Sequence, residues 1–558
     1  MDLADSKGLP TNGGFSTWAQ AHVQPMTRIF TPMLPEPTQY KLTRLPLAAT
    51  QQFKPTLLEY VALKPPLAPF YAHPPTLEGL RSALEAKKNF RPAIRADLVT
   101  SITALYTSAG VKVPTERITF LGNANTYTIT TGHQLSIFGG PLYLVFKALT
   151  AINLAKAAKA AYPEFDFVPM FWLSGEDHDL DEIRTVRIFG RDLTWATQQQ
   201  GPTGPMQTEG LAEVLAQING EKPEWLTAYT QAPTLMAAQV IMMENLFGHL
   251  GLVVIDGSRP ELKRHFKHTI LKEITESFSY PKLQQQTADL EKAGYKAQIG
   301  GREINLFYMK PGLRARIVRT EGGFEALEHK TFTHDELVSE AETHPEHFSP
   351  NVVLRPVYEE TILPNLAYIG GPAEVAYWLQ LRTVFEAAGV NFPAVWPRQS
   401  ALYVPASLHK KWKELGFTPS DWFRTTPDLK AQYLDASGAG VKLDAEWELW
   451  HKLFAQLEAK AREADKTVGE SVAADKARLE KQVEGTFKKI EKAYERRHEQ
   501  VLTQIEKTRE RLMPGGGLQE RSENFLTYYL SNPDWVNQIA QHIDPTRHEF
   551  NIIEEVAG

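Results

Sequence analysis

Two stretches in the first third of the chain constrain its fold more than any other. From Thr130 the sequence reads TTGHQLSIFGGPLYLVFKALTAINLAKAA, and after a short spacer comes FVPMFWLSGEDHDLDEI. Each opens as a strand and passes into polar, glycine-containing turn chemistry. The first then becomes an amphipathic helix, with Pro141 placed where a first helical residue belongs. Strand–helix–strand in this order is a βαβ unit, which requires a parallel sheet with helices on its faces. Parallel neighbours end side by side, so the pattern predicts that Thr131, His133, Gln134 and Lys147 converge with Glu176, Asp177, His178 and Asp179. Open α/β sheets bind ligands at such strand ends. Acids, a histidine and a lysine gathered there form a candidate catalytic site.

The rest of the chain extends this frame. LGLVVIDGS (250–258) reads as another buried strand, running into Asp256-Gly257. NVVLRPVYEETILPNLAYIGGPAEVAYW restores the α/β pattern, with Arg355 expected near a strand end and a helix opening at Gly370-Gly371-Pro372. FPAVWPRQSALYV (392–404) reads as the last strand and its exit. Between these pieces, 184–240 looks like an insertion, and INLFYMKPGLRARIVR alternates like a hairpin within a second one. The first hundred residues are Pro-rich connections such as PMLPEP, with a helix predicted over 76–90 capped by Thr76. Residues 445–512 differ in kind: they are charged, lack proline and carry two glycines, Gly469 and Gly485. Leu453, Leu457, Leu479, Val483, Ile490, Val501, Ile505 and Leu512 form a broken heptad-like stripe. Unbroken, about 65 helical residues would reach roughly 100 Å, so a folded-back hairpin or a dimeric coiled coil is expected. A tail after Pro514-Gly515-Gly516-Gly517 is expected to pack back on the body.

Composition narrows the function classes. The 558-residue chain has a formal net charge of -6, against the usual basic balance of nucleic-acid binders. No apolar run is long enough to span a bilayer, and the N-terminus lacks the basic and apolar regions of a signal peptide. A cytoplasmic location is the expectation. The chain has no cysteine, which removes disulfides, thiolate metal sites and a cysteine nucleophile.

Three constellations carry the chemistry, each with a plainer alternative. Thr131-Gly132-His133-Gln134 with Gly139-Gly140 is a strand-to-helix passage whose free N–H groups could hold phosphate or carboxylate, with Lys147 supplying positive charge. The alternative is a tight turn and a solvated lysine. Glu176, Asp177, His178 and Asp179 could act as a general base or ligate Mg²⁺ or Zn²⁺. The alternative is a helix start rich in acids, which Asp181 and Glu182 support. Arg355 could grip a carboxylate bidentately, with Gly370, Gly371, Glu374, Tyr377 and Trp378 walling a sugar. The alternative is aromatic packing plus a structural ion pair. His249, His265 and His268 read as helix-surface residues.

Four ordered motifs, TGHQLSIFGGPLYLVFK, FWLSGEDHDLDEI, RPVYEETILPNLAYIGGPAEVAYWLQL and LQERSENFLTYYL, together resemble the bacillithiol biosynthesis cysteine-adding enzymes. The resemblance runs through essentially the whole chain. It departs at His133, where many relatives carry Gln, so His133 and Gln134 are read as polar binding groups. The resemblance implies an α/β, Rossmann-like core with two connecting-peptide insertions and a helical coiled coil that forms a homodimer. Laid on the chain, this places the N-terminal segment and first core part at 1–183, insertions at 184–245 and 285–350, and further core at 246–284 and 351–444. The coiled coil occupies 445–513 and the tail 514–558.

The implied reaction is the last pathway step, addition of L-cysteine to glucosaminyl malate. A carboxylate is a poor electrophile, so ATP or another nucleotide with Mg²⁺ is expected to activate it, and an ADP-like ligand would fit such a site. Glu176, Asp177 or His178 would take the amine proton. Thr131, Gly132, His133, Gln134, Tyr143, Lys147, Trp172 and Asp179 are the first binding candidates. Gly370, Gly371, Glu374, Tyr377 and Trp378 complete them, with Arg355 and Lys147 meeting the malate carboxylates. No structural zinc, membrane or nucleic-acid partner is expected. Two other functions compete: a metal-dependent hydrolase built on Glu176–Asp179, and an interaction scaffold built on the coiled coil.

Overall fold

A computed structural model describes residues 39–438 and 440–556; the PMLPEP connection lies outside them. The strands and helices that position the site are, in chain order, β1 (Gln39–Pro46), β2 (Thr126–His133), α1 (Tyr143–Ala161), β3 (Asp166–Leu173), α2 (Leu235–Phe247) and β4 (Val253–Asp256). They continue with β5 (Leu306–Lys310), β6 (Leu313–Thr320), β7 (Phe348–Pro350), α3 (Arg355–Ile362), β8 (Asn365–Gly370), β9 (Ala394–Pro397) and β10 (Ser400–Val404). The chain ends with α4 (Asp444–Ala464), α5 (Lys466–Arg497), α6 (Glu499–Leu512) and β11 (Glu549–Val556).

The central sheet has five strands in the order β9-β8-β2-β3-β4, every pair parallel. Counting only these strands along the chain, the order is 5-4-1-2-3, the doubly wound Rossmann arrangement. The chain builds outward from β2 through β3 to β4, then returns to β8 on the other side of β2. The order reverses between β2 and β8, which opens a crevice at their C-terminal ends. Alternating side chains feed two cores: Ile369 and Trp396 pack with Ala151 and Leu154 of α1 on one face, and Tyr368 and Val395 join the larger core on the other. β2 and β3 run in register from Thr126↔Asp166 to His133↔Leu173. Their approach depends on Gly132, where a Cβ would lie 2.9 Å from that of Trp172.

Several local expectations hold. The helix Leu77–Lys87 is capped by the Thr76 side chain, and β5 and β6 form the antiparallel hairpin read from their alternation. Two change. The segment around Arg355 is the start of helix α3 rather than a strand end. Pro356 has no N–H to lose and its fixed φ suits a first helical turn. The 392–404 segment is two strands in two sheets. It leaves the central sheet at Pro397, and β10 joins a separate sheet of order β1-β11-β10.

The C-terminal helices form a hairpin. Asp465 breaks α4 from α5, and its side chain accepts from the N–H groups of Thr467 and Val468. The pairing is antiparallel: the Trp447 ring lies 5.3 Å from Phe487, and His451 lies 3.7 Å from Glu480. None of the 21 residues of α4 is buried. By contrast α6 buries Leu502, Ile505 and Leu512.

Candidate active site

The crevice at the switch point holds a pocket of about 780 Å³. Its wall joins the strand ends (Gly132, His133, Trp172, Asp256, Gly371) to the Glu176-Asp177 turn, the 302–349 segment (Arg302, Arg314, Ser349) and the C-terminal domain (Arg521). Gln134, Tyr143, Lys147, Arg355, Glu374 and Tyr377 complete the predicted residues that line it. The two predicted halves thus meet around one cavity.

Five predicted residues stand outside this lining. Thr131 is buried in β2, its hydroxyl donating to the Ile369 carbonyl at 2.9 Å. Trp378 is buried and stacks on Tyr368 at 4.6 Å. Gly370 is the last residue of β8 and does not line the cavity. Asp179 caps a short helix by accepting from the Glu182 N–H, the plainer role weighed for that run of acids. His178 sits beside the pocket and accepts at Nδ1 from the Arg314 guanidinium at 2.9 Å. Arginine only donates, so the imidazole proton is on Nε2.

The acids of the turn are individually paired. Glu176 is held between the buried Lys263 ammonium at 2.6 Å and the Ser349 hydroxyl at 2.8 Å. Asp177 accepts from the Gln134 amide at 2.9 Å and the His178 N–H at 2.8 Å, with Arg314 at 3.7 Å. Burial alone would raise the Asp177 carboxyl, but the His178 and Gln134 hydrogen bonds and the Arg314 charge hold it well below the usual carboxylate range. Asp177 is therefore a fixed anion that anchors the turn and a weak proton acceptor. Asp256, at the end of β4, goes the other way: burial raises its pKa despite two bonds from Ser258, and the Glu176 charge adds to the rise.

Around β2 and β8 the cations are neutralised at short range. Lys147 donates to the Gly132 carbonyl at 2.7 Å and pairs with Glu374 at 2.6 Å. Glu374 also accepts from the Gly371 N–H and the Tyr368 hydroxyl. Burial lowers the Lys147 pKa, opposed by Glu374. Arg355 pairs with the buried Glu359 and lies over the Trp172 and Tyr368 rings at 5.8 and 5.5 Å. One of its terminal nitrogens is buried without a partner among the described residues. His133 donates from Nδ1 to the Gln134 carbonyl and accepts at Nε2 from the Tyr143 hydroxyl at 2.8 Å. Burial, then the Lys147 charge, pushes its pKa down to about 4, so it is a neutral ring at neutral pH.

The Gly139-Gly140 turn is not the phosphate cradle its glycines suggested. It is buried, the Leu142 N–H donates to the Glu523 carbonyl, and the Phe138 N–H donates to the Tyr229 hydroxyl. Gly140 is required because φ is 61° and a Cβ would lie 2.6 Å from that of Ser136. Asp256, Arg302, Arg314, Ser349, Arg398 and Arg521 escaped the sequence reading as site residues. Only Asp256 carried a local signal, the polar end of an apolar strand; the others reach the pocket from distant segments.

This fold and this two-part organisation have a match among known proteins. A family model described as the bacillithiol biosynthesis BshC N-terminal Rossmann-like domain covers residues 41–399, and the BshC C-terminal coiled-coil domain covers 401–555. The chain belongs to the bacillithiol biosynthesis BshC family. A Cytophaga hutchinsonii member, named "Putative cysteine ligase BshC", is 37% identical over 517 residues, 92% of this chain and 98% of its own. A Flavobacterium johnsoniae protein of the same name is 35% identical, covering 90% of this chain and 97% of its own. One from Chlorobaculum tepidum is 30% identical, covering 84% and 90%. The family boundary near residue 400 falls where the chain leaves the central sheet between β9 and β10. No described helix of this BshC-family chain is long and apolar enough to cross a membrane.

Proposed function

We propose that this chain is a ligase that joins the carboxyl group of L-cysteine to the amine of glucosaminyl malate, forming an amide in the last step of bacillithiol biosynthesis. The observation that carries this reading is the switch-point pocket, where the Glu176 carboxylate and a set of guanidinium groups face one cavity in a member of the BshC family. A nucleotide such as ATP, with Mg²⁺, would supply the group that turns a carboxylate oxygen into a leaving group. The guanidinium lining suits phosphate chemically, whereas the occupied N–H groups of the Gly139-Gly140 turn do not.

Glu176 is the proton acceptor of this mechanism. The amine nitrogen attacks the activated carboxyl carbon, the C–N bond forms, the activating group departs with its electron pair, and the amine proton passes to Glu176. Asp177 is excluded from that role by its depressed pKa, and His178 by its place outside the lining. Lys263 and Ser349 hold Glu176 in one orientation. The half-paired Arg355 offers a donor to a malate carboxylate; Lys147, already paired with Glu374, instead fixes the strand ends.

The metal-dependent hydrolase alternative loses its ligand set here, because Glu176 is paired with Lys263 while Asp177 and His178 both face Arg314. The metal-compatible cluster among the described residues is His344, Glu346 and His347, and none of them lines the pocket. The α4–α5 hairpin is proposed to form a homodimer: Leu449, Leu453 and Leu457 of α4 are 68%, 51% and 44% exposed, an apolar stripe that a second copy would cover.

Thiol profiling by mass spectrometry in a strain lacking this gene tests the reading. Loss of bacillithiol with accumulation of glucosaminyl malate, restored by the wild-type gene and not by Glu176→Gln, is the expected result. Unchanged bacillithiol in the deletion strain would remove it.

A further inference from the structure

Residues 519–524 of the C-terminal domain are fastened to β10 and to the Phe138–Leu142 turn residue by residue. Gln519 exchanges two hydrogen bonds with the backbone of Tyr403, at 3.0 and 2.9 Å. Glu520 accepts from the Ala401 N–H at 2.9 Å and pairs with Arg398 at 2.7 Å, both side chains buried. The Glu523 carbonyl takes the Leu142 N–H, and the Asn524 amide donates to the carbonyls of Phe138 and Gly140. Arg521 lies in the middle of this clamp. Its backbone is fixed by its neighbours, yet among the described residues its guanidinium makes no hydrogen bond or ion pair, and it lines the pocket.

The charge pattern of the pocket gives that isolation meaning. Lys147 is matched by Glu374, Arg355 by Glu359, Arg398 by Glu520, and Arg314 by Asp177. Of the cationic groups lining the cavity, Arg302 and Arg521 are the two with no carboxylate partner among the described residues. Arg302 stands on the 302–349 segment, where the like charge of Arg316 lowers its pKa after burial has done so. Arg521 stands near Tyr143, whose hydroxyl meets His133 at the end of β2. A guanidinium offers paired donors matched to carboxylate and phosphate oxygens, and one held on a rigid backbone loses less freedom when it binds.

Resting on the ligase reading, we infer that Arg521 docks an anionic group of a substrate. The C-terminal domain would then complete the pocket rather than serve assembly alone. The shared chemistry is an oxyanion with two oxygens to offer, either a carboxylate of the acceptor's malate moiety or a phosphate of the nucleotide.

Isothermal titration of the full-length protein with glucosaminyl malate and, separately, with ATP and Mg²⁺ distinguishes the two. Arg521→Ala and Arg521→Gln are expected to weaken one ligand at least tenfold and leave the other within twofold. Arg521→Lys should recover part of the loss, with melting temperatures unchanged throughout. Selective loss of glucosaminyl malate assigns the carboxylate, and selective loss of ATP the phosphate. Unchanged affinity for both ligands overturns the inference while leaving the ligase reading standing. So does an equal loss from Arg547→Ala, an exposed arginine paired with Asp544 away from the pocket. A wild-type protein that binds neither ligand removes the ligase reading and the inference together.

Discussion

The parallel-sheet body and the α4–α5 hairpin are both regular, but different forces hold them. In the body, β8 is buried along its whole length and α1 along most of its own. In the hairpin, α4 buries nothing. Its helices rest on each other at Trp447 and Phe487 and on local devices: the Asp465 cap and pairs one turn apart such as Glu458–Arg462 and Glu484–Lys488. Each such device is solvent-exposed and contributes little by itself. The body gains stability from burial, while the hairpin keeps an exposed apolar stripe of Leu449, Leu453 and Leu457.

The largest effect expected from breaking this contrast is on activity. Glu176→Gln should lower the amide-forming rate by about 10²–10⁴-fold while hairpin helicity and melting temperature stay near wild type; steady-state kinetics with circular dichroism would show it. Next comes Trp396→Ala in the body, which empties a fully buried site and removes the indole bond to the Pro545 carbonyl. Urea unfolding should show a loss of about 3–5 kcal/mol.

His133→Gln separates pH effects. In the folded chain His133 is held down at about 4, below the roughly 6.5 of an unperturbed imidazole. As pH falls from about 6.5 to about 4, the unfolded chain takes up the proton first, so the stabilisation present at neutral pH is lost across that window. The wild-type advantage over the Gln variant should therefore shrink between pH 7 and pH 4.5, by roughly 1–3 kcal/mol in denaturant titrations. A constant difference would contradict the neutral buried ring.

The smallest expected effects lie in the hairpin. Asp465→Ala should loosen the first turn of α5, visible as faster amide exchange there and not in the body. Leu453→Lys with Leu457→Lys should change monomer stability by less than about 0.5 kcal/mol and shift sedimentation from dimer to monomer. Unaltered sedimentation would show that the stripe is not the dimer contact.

Much of this was legible from local patterns. The βαβ unit, the strand ending at Asp256, the β5–β6 hairpin and the long charged helices all announce themselves through periodicity and turn residues. Arg355 was misplaced because Val352-Val353-Leu354 reads as strand chemistry, while the next turn follows from Pro356 and burial against the core. His178 and Asp179 stand outside the pocket lining because adjacency in sequence does not set direction: one turns to Arg314 and the other caps a helix.

The sequence by itself determined the class of fold, the convergence of strand ends near His133 and Glu176, and a separate helical arm, because these follow from interactions among near neighbours. Only the tertiary structure decided which cations are already neutralised, which carboxyl stays a weak base, and that Arg302, Arg398 and Arg521 share the pocket with β2. Those properties depend on charges brought within a few ångströms from segments hundreds of residues apart, and Coulomb interactions and desolvation act through distance in space.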